Sequence, residues 1–264
     1  PIGGQTVAPR GFEMLLVADH PILVDDLENG VREGRGDPTQ LIGGALAPAL
    51  RQPIARIIAN AETIRTRLAG PLRAEYSEYA GNIASAGQHL NGLLDDLADL
   101  EVVEAEDFTT AKEAVDLGDA VRRAAGILGV RARAKNIELA TPIREDAPVA
   151  SGEFRRVLQV LINLIGNAVA YSPENSVVTV KAETNPDEGA AIVQVIDQGP
   201  GIDAEQAERV FNKFERLGRE NDGGSGLGLY ISSRLAAAMG GNLSVANAGE
   251  EGAVFRLSLP IHAA

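Results

Sequence analysis

Apolar residues recur every three or four positions along the first half of the chain. Leu50, Ile54, Ile57, Ile58 and Ala61 share one side of a helix. This spacing predicts a helix over 38–68, with Asp37 as N-cap and Pro38 at the first helical position. "AGP" (Ala69–Pro71) breaks it. From Pro71 to about Glu104 the spacing resumes through Leu72, Tyr76, Tyr79, Ile83, Ala86, Leu90, Leu93, Leu94, Leu97 and Leu100. Two long helices and a short turn predict an antiparallel hairpin over 38–104. One hairpin cannot cover a full apolar stripe on each helix. Pairing with a second copy, as a homodimer with a four-helix bundle, is therefore expected.

After the polar linker 105–113 the pattern changes to short β runs between helices. "IELATPI" (Ile137–Ile143), "SVVTVKAE" (Ser176–Glu183), "AAIVQVID" (Ala190–Asp197), "NLSVANA" (Asn242–Ala248) and "AVFRLSLP" (Ala253–Pro260) read as strands. "LGDAVRRAAGILGVRARAKN", "EFRRVLQVLINLIGNAVAYS" and "GLGLYISSRLAAAMG" read as helices. The expected fold class is α+β: a helical hairpin followed, over 114–264, by an α/β sandwich with a mixed sheet. Residues 1–37 hold one short amphipathic run, "ADHPILVDDLENGVREG", whose Ile22, Leu23, Leu27 and Val31 can face a partner. They read as an N-terminal segment or the remnant of an upstream sensory region. The chain starts at Pro1, which leaves room for a preceding segment.

Composition narrows the function. The formal net charge of −13 over 264 residues argues against nucleic acid and against anionic membrane surfaces. Without cysteine, thiolate metal sites and cysteine nucleophiles are excluded. His20, His89 and His262 lie too far apart in sequence to suggest a multi-histidine metal site. No apolar run reaches the roughly 20 residues that span a bilayer, and no secretory signal is visible. A soluble cytoplasmic segment without membrane contact is expected.

Three stretches carry candidate chemistry. In "LQVLINLIGNAVAYSP" (Leu158–Pro173), Leu158, Leu161, Ile165 and Val169 form a buried stripe, while Asn163, Asn167 and Tyr171 line another face at four-residue spacing. An amide oxygen is a good neutral ligand for a hard cation such as Mg²⁺. The other reading is that these amides satisfy backbone in the core. In "VIDQGPGI" (Val195–Ile202), Asp197 ends an apolar strand beside Gly199 and Gly201. A carboxylate there can accept a hydrogen bond from an exocyclic amine such as that of adenine, or be a solvated turn residue. In "GGSGLGLYIS" (Gly223–Ser232), Gly224, Gly226 and Gly228 precede a helix whose free N–H groups favour phosphate. The Rossmann spacing fails, and no P-loop sequence exists in the chain. Between the last two, Phe211 and Phe214 can anchor a polar segment that closes over a nucleotide.

These pieces, in this order and spacing, resemble the ATP-binding domain of sensor histidine kinases, within the group that includes gyrase and Hsp90. The resemblance covers about Val115 to Pro260 and implies a sandwich of Bergerat type with ATP and Mg²⁺ as cofactors. It implies that Asn163 and Asn167 form an asparagine box with Asn167 holding Mg²⁺, and that Asp197 binds the adenine amine. Gly199 and Gly201 would form the first glycine box, and Gly224, Gly226 and Gly228 the second. Arg216 matches a basic residue after the phenylalanine box. Ala170 departs from the basic residue that many members carry. Gyrase-like and Hsp90-like ATPases carry a glutamate at the position of Asn163 to activate water. Asparagine cannot act as a general base, so the site looks built for transfer rather than hydrolysis.

The hairpin resembles the dimerisation and phosphoacceptor domain of the same kinases, which implies a response-regulator receiver domain as partner. Its first helix should read S-H-E-L-R-T-P-L. The chain has "APALRQPI" (Ala47–Ile54), in which Leu50, Arg51 and Pro53 match. Pro48 stands where the acceptor histidine is expected and Ala49 where an acid is expected. Gln52 takes the place of a Thr or Asn linked to phosphatase activity. His89 lies on the second helix and reads as a structural or partly exposed residue. A proline at 48 removes an N–H, so the helix is expected to kink or open between Gly43 and Pro53. The chain is thus expected to be a histidine kinase core with autophosphorylation in doubt. The alternative is a pseudokinase, a dimeric ATP-binding scaffold that regulates a response regulator or another kinase.

Overall fold

The amphipathic run from Ala47 to Arg65 forms helix α1, and Ala74–Glu104 forms α2. The structure, a computed structural model, describes residues 47–66, 70, 73–142, 147–216, 224–247 and 252–262, all within one compact unit spanning 38–264. The helix expected in 1–37, and residues 38–46 of the first long helix, lie outside the described residues.

The expected break between Gly43 and Pro53 does not occur from Ala47 on, where α1 runs uninterrupted through Pro53. Pro48 lies within α1 as described, and the carbonyl its missing N–H would have served, that of Gly44, lies outside the described residues. Pro53 does interrupt the ladder at Ala49, but both residues are exposed, so water can take the freed carbonyl.

The seam between α1 and α2 is made of small residues. Ala61 on α1 and Ala80, Ala84 and Gly87 on α2 are buried. A Cβ on Gly87 would sit 2.7 Å from Ile58 Cγ1, so glycine is what lets the helices approach. The larger apolar residues point elsewhere. Leu50, Ile57 and Ile64 on α1, and Tyr76, Tyr79, Ile83 and Leu90 on α2, are exposed in the single chain. Towards its C-terminus α2 dips into the core through Leu100 and Val103.

The second half is the expected sandwich with a mixed sheet. Helices α3 (Leu117–Ala134), α4 (Phe154–Tyr171) and α6 (Gly228–Ala238) pack on a five-stranded sheet of β2 (Glu138–Ala140), β4 (Val177–Asn185), β5 (Ala190–Ile196), β7 (Ala253–Pro260) and β6 (Asn242–Asn247). Only the β2–β4 pair is parallel. The period-two pattern of β7 turns Ala253, Phe255, Leu257 and Leu259 inward. On α4 Leu161, Ile165 and Val169 are fully buried, while Leu158 is only partly so. Asp116 caps α3 by accepting from Asp119 N at 3.0 Å.

Three elements have no counterpart in the sequence reading. Strands β1 (Glu113–Asp116) and β3 (Val149–Gly152) form a separate antiparallel pair, and Ala204–Arg209 forms the short helix α5. Each is too short for periodicity to announce it.

Candidate functional site

The polar stripe of α4 and the N-terminus of α6 form facing walls of one cleft. Asn163, Asn167 and Tyr171 line it from α4, with Gly224, Ser225, Gly226 and Gly228 opposite. Asp197, Gly201 and Ile202 close the end of the sheet, and Arg216 lies at the rim. The cleft therefore gathers Asn163, Asn167, Tyr171, Asp197, Gly201, Arg216, Gly224, Gly226 and Gly228, but not Gly199, Phe211 or Phe214.

Asp197 is buried, which overturns the solvated-turn reading. Its Oδ1 accepts from Gly199 N at 2.8 Å and from Ala253 N at 3.0 Å. Both bonds hold the carboxylate in place and leave Oδ2 to accept one further donor. A Cβ on Gly199 would lie 3.0 Å from Asp197 Oδ1 and 3.1 Å from the Tyr171 carbonyl, so this turn packs tightly behind the acid.

Asn163 donates from Nδ2 to Ser232 Oγ at 2.9 Å, and Ser232 is itself buried on α6. The bond orients the amide oxygen toward Gly228. A Cβ at Gly228 would lie only 2.5 Å from Asn163 Oδ1, so glycine is needed for the two walls to meet. Gly226 is needed for its conformation: its φ is +72°, and a Cβ would fall 2.7 Å from the Phe214 carbonyl carbon. Asn167 has no hydrogen-bond partner among the described residues, so its amide is available to a ligand. The donor set fits a nucleotide with a hard cation: a fixed carboxylate for an amine, a helix N-terminus for phosphate, and an amide oxygen for Mg²⁺.

Ala170 lacks the expected basic side chain, but a cation does reach that turn. Lys135 Nζ donates to the carbonyls of Val169 and Ala170 at 3.1 and 2.6 Å, satisfying the last turn of α4. The two phenylalanines part company. Phe211 packs against the core, whereas Phe214 is 64% exposed with φ +62°, so it does not anchor its segment. Its N–H instead donates to the Gly226 carbonyl at 3.0 Å, tying this segment to the second glycine box.

The sequence reading missed the wall that α2 supplies. Asp96 lines the cleft, and Ser225 Oγ–H donates to its Oδ2. Burial pushes the Asp96 carboxyl up from its ordinary value; the Ser225 bond opposes this, and Asp99 and Asp95 add to it. Below it, Asp99 accepts from Gln159 Nε2 at 2.7 Å and lies 3.8 Å from Arg156, and burial also raises its pKa. Glu104 pairs with Lys213 and accepts from Tyr230 Oη at 2.8 Å; the Lys213 bond, foremost, holds its carboxyl low. One signal was available: Asp96 falls between Leu93 and Leu100 on the apolar stripe, an unusual place for an acid.

Pro48, Ala49 and Gln52 are all exposed on α1. The next turn carries Arg51, whose guanidinium meets Asp95 at 2.6 Å, one residue before Asp96. His89 is exposed on α2. No helix among the described residues is long and apolar enough to cross a membrane.

Comparison with known proteins gives a consistent picture. Residues 152–263 match the histidine kinase-, DNA gyrase B- and HSP90-like ATPase family, and residues 45–106 match the His Kinase A (phospho-acceptor) domain. The chain is 28% identical over 242 residues to the histidine protein kinase DivJ of Caulobacter vibrioides, covering 89% of this chain and 40% of DivJ. It is 32% identical over 223 residues to the sensor protein TorS of Escherichia coli, covering 83% of this chain and 24% of TorS. The chain thus spans less than half the length of either relative. Among solved structures, full-length ShkA in complex with AMPPNP aligns with a TM-score of 0.69 at 30% identity, over 87% of this chain and 47% of ShkA.

Proposed function

Because this chain belongs to the sensor histidine kinases, pairing a phospho-acceptor hairpin with an ATPase domain, we propose that it binds Mg-ATP in the cleft between α4 and α6 and serves two-component signalling as a homodimer. The observation that carries this reading is the convergence of Asp197, Asn163, Asn167 and the second glycine box on one cleft. The free Oδ2 of Asp197 takes the adenine amine. The α6 N-terminus takes the phosphates, Asn167 holds Mg²⁺ against them, and Arg216 stands at the rim. Tyr171 and Ile202 give the base an apolar wall. With Asn163 bonded to Ser232 and no acid in its place, this position has no base to activate water. The relative crystallised with AMPPNP supports the same ligand class.

The exposed stripes of α1 and α2 support dimerisation, since Leu50, Ile57, Ile64, Tyr76, Tyr79, Ile83 and Leu90 stand exposed among the described residues. A receiver domain is the partner typical of this family.

The hairpin favours a second reading of the same protein. Pro48 has no nucleophile, Ala49 no base, and both are exposed where the acceptor dyad would stand. The chain then acts as an ATP-binding scaffold, with the Gln52 amide placed to hold a water against a phospho-aspartate. Two measurements test these readings. Calorimetry with a non-hydrolysable ATP analogue and Mg²⁺ should show binding; none at millimolar nucleotide removes the cleft assignment. Incubation with radiolabelled ATP should leave no acid-labile label on the chain; such label would remove the scaffold reading.

A further inference from the structure

The nucleotide cleft has an anion at its phosphate end, and the hairpin supplies it. Ser225 Oγ accepts from Leu227 N at 3.0 Å and donates its own proton to Asp96 Oδ2. Leu227 is the N-cap of α6. The positive end of this helix is thus linked through one hydroxyl to a carboxylate on α2. Asp96, Ser225, Gly224, Gly226 and Gly228 all line the same cleft.

This arrangement is electrostatically tense. Asp96 is partly desolvated, and Asp95 and Asp99 lie close enough to repel it. A triphosphate entering the cleft brings more negative charge to the same helix end. Two anions cannot share one helix N-terminus without repulsion, in a low-dielectric cleft where charges are poorly screened.

We propose that Asp96 is a specificity-determining residue of the nucleotide site, a hairpin-borne competitor for the phosphate end of a nucleoside triphosphate. The inference rests on the nucleotide reading of the cleft. Binding of the triphosphate and retention of the Asp96–Ser225 bond oppose each other, so occupancy of the cleft loosens the hairpin from the second glycine box. By linkage, any event that pulls α2 away raises the affinity for triphosphate by the same factor.

The test uses the whole chain with Mg²⁺ and three probes: AMP-PNP, ADP and adenosine. Asp96→Asn keeps the shape and a partner for Ser225 but removes the charge. It should tighten AMP-PNP on the order of tenfold, ADP less, and adenosine not at all. Asp95→Asn, which removes a charge on the same helix outside the cleft, should change AMP-PNP affinity far less than Asp96→Asn does and leave adenosine unchanged. Equal AMP-PNP affinity in Asp96→Asn and the unmutated chain overturns the proposal. So does an equal gain for adenosine, which would mark a steric effect, or an equal gain in Asp95→Asn, which would mark non-specific charge. If no variant binds any nucleotide, the cleft reading itself falls and takes this inference with it.

Discussion

Asn163 on α4 and Ser232 on α6 are joined by a 2.9 Å hydrogen bond across the cleft. The bond sets the separation of the two walls and aims the Asn163 oxygen at Gly228, where a Cβ would approach to 2.5 Å. Gly228→Ala should therefore force the walls apart. Overpacking of this kind costs about 1–3 kcal/mol. A urea midpoint lowered to match, together with weaker AMP-PNP binding, is the expected result; an unchanged midpoint would show that the Asn163 amide yields freely.

Asp197 is held by two backbone N–H groups on one oxygen, which leaves the other for the adenine amine proposed above. Asp197→Asn should weaken adenine nucleotides by about ten- to hundredfold, the loss of a charge-assisted hydrogen bond. Calorimetry on ATP analogues against a guanine analogue checks this: the loss should fall on adenine.

The exposed Ile57 on α1 and Ile83 on α2 belong to the uncovered stripe of the hairpin. Ile57→Asp with Ile83→Asp should give monomers, because a dimer interface would bury two unpaired carboxylates. Light scattering at micromolar concentration should report a dimer before substitution and a monomer after it. A monomeric unmutated chain would end this expectation.

The contact between hairpin and ATPase domain should depend on pH. Burial, the largest cause, raises the Asp96 and Asp99 pKa values above their unfolded ones. The raised values mean that their contribution to stability is present in acid and is lost as pH rises through the folded values. Around them stand Asp95, Arg155, Arg156, Arg131 and Ser225. Glu104, lowered chiefly by Lys213, acts in the other sense: its contribution fades only as pH falls below the ordinary carboxylate range. Urea midpoints of the unmutated chain and of Asp96→Asn with Asp99→Asn should thus diverge as pH falls from neutral toward the ordinary carboxylate range, with the unmutated chain gaining. A constant difference would contradict the assignment.

Pro48→His should place an imidazole at the proposed acceptor position, and Ala49→Glu beside it a base. The single variant should form acid-labile phosphohistidine slowly, and the double variant roughly 10²–10⁴-fold faster, the usual range for a positioned general base. An inert double variant that still binds ATP would place the defect beyond these two residues.

The amino-acid sequence by itself determined the long elements, though not the short β1, β3 and α5, and pointed to the ligand class. Periodicity alone delimits α2 at Glu104 and β7 at Ala253–Pro260, because each turns a regular apolar face to one neighbour. Asn163, Asn167, Asp197 and the glycines were legible because each is a local departure from that regularity. Only the tertiary structure decided what those residues touch. Asp197 is buried because an N–H of β7, 56 residues away, reaches it. Asp96 meets Ser225 across 129 residues, and no local pattern encodes a pairing at that distance. Periodicity predicts that one hairpin leaves apolar residues uncovered, but only the structure decides which: Ala61 and Leu100 are buried, whereas Leu50, Ile57, Tyr79 and Ile83 stand exposed in the chain. The reason is geometric: small residues at Ala61, Ala80, Ala84 and Gly87 bring the two helices close on one side and leave the large residues on the other.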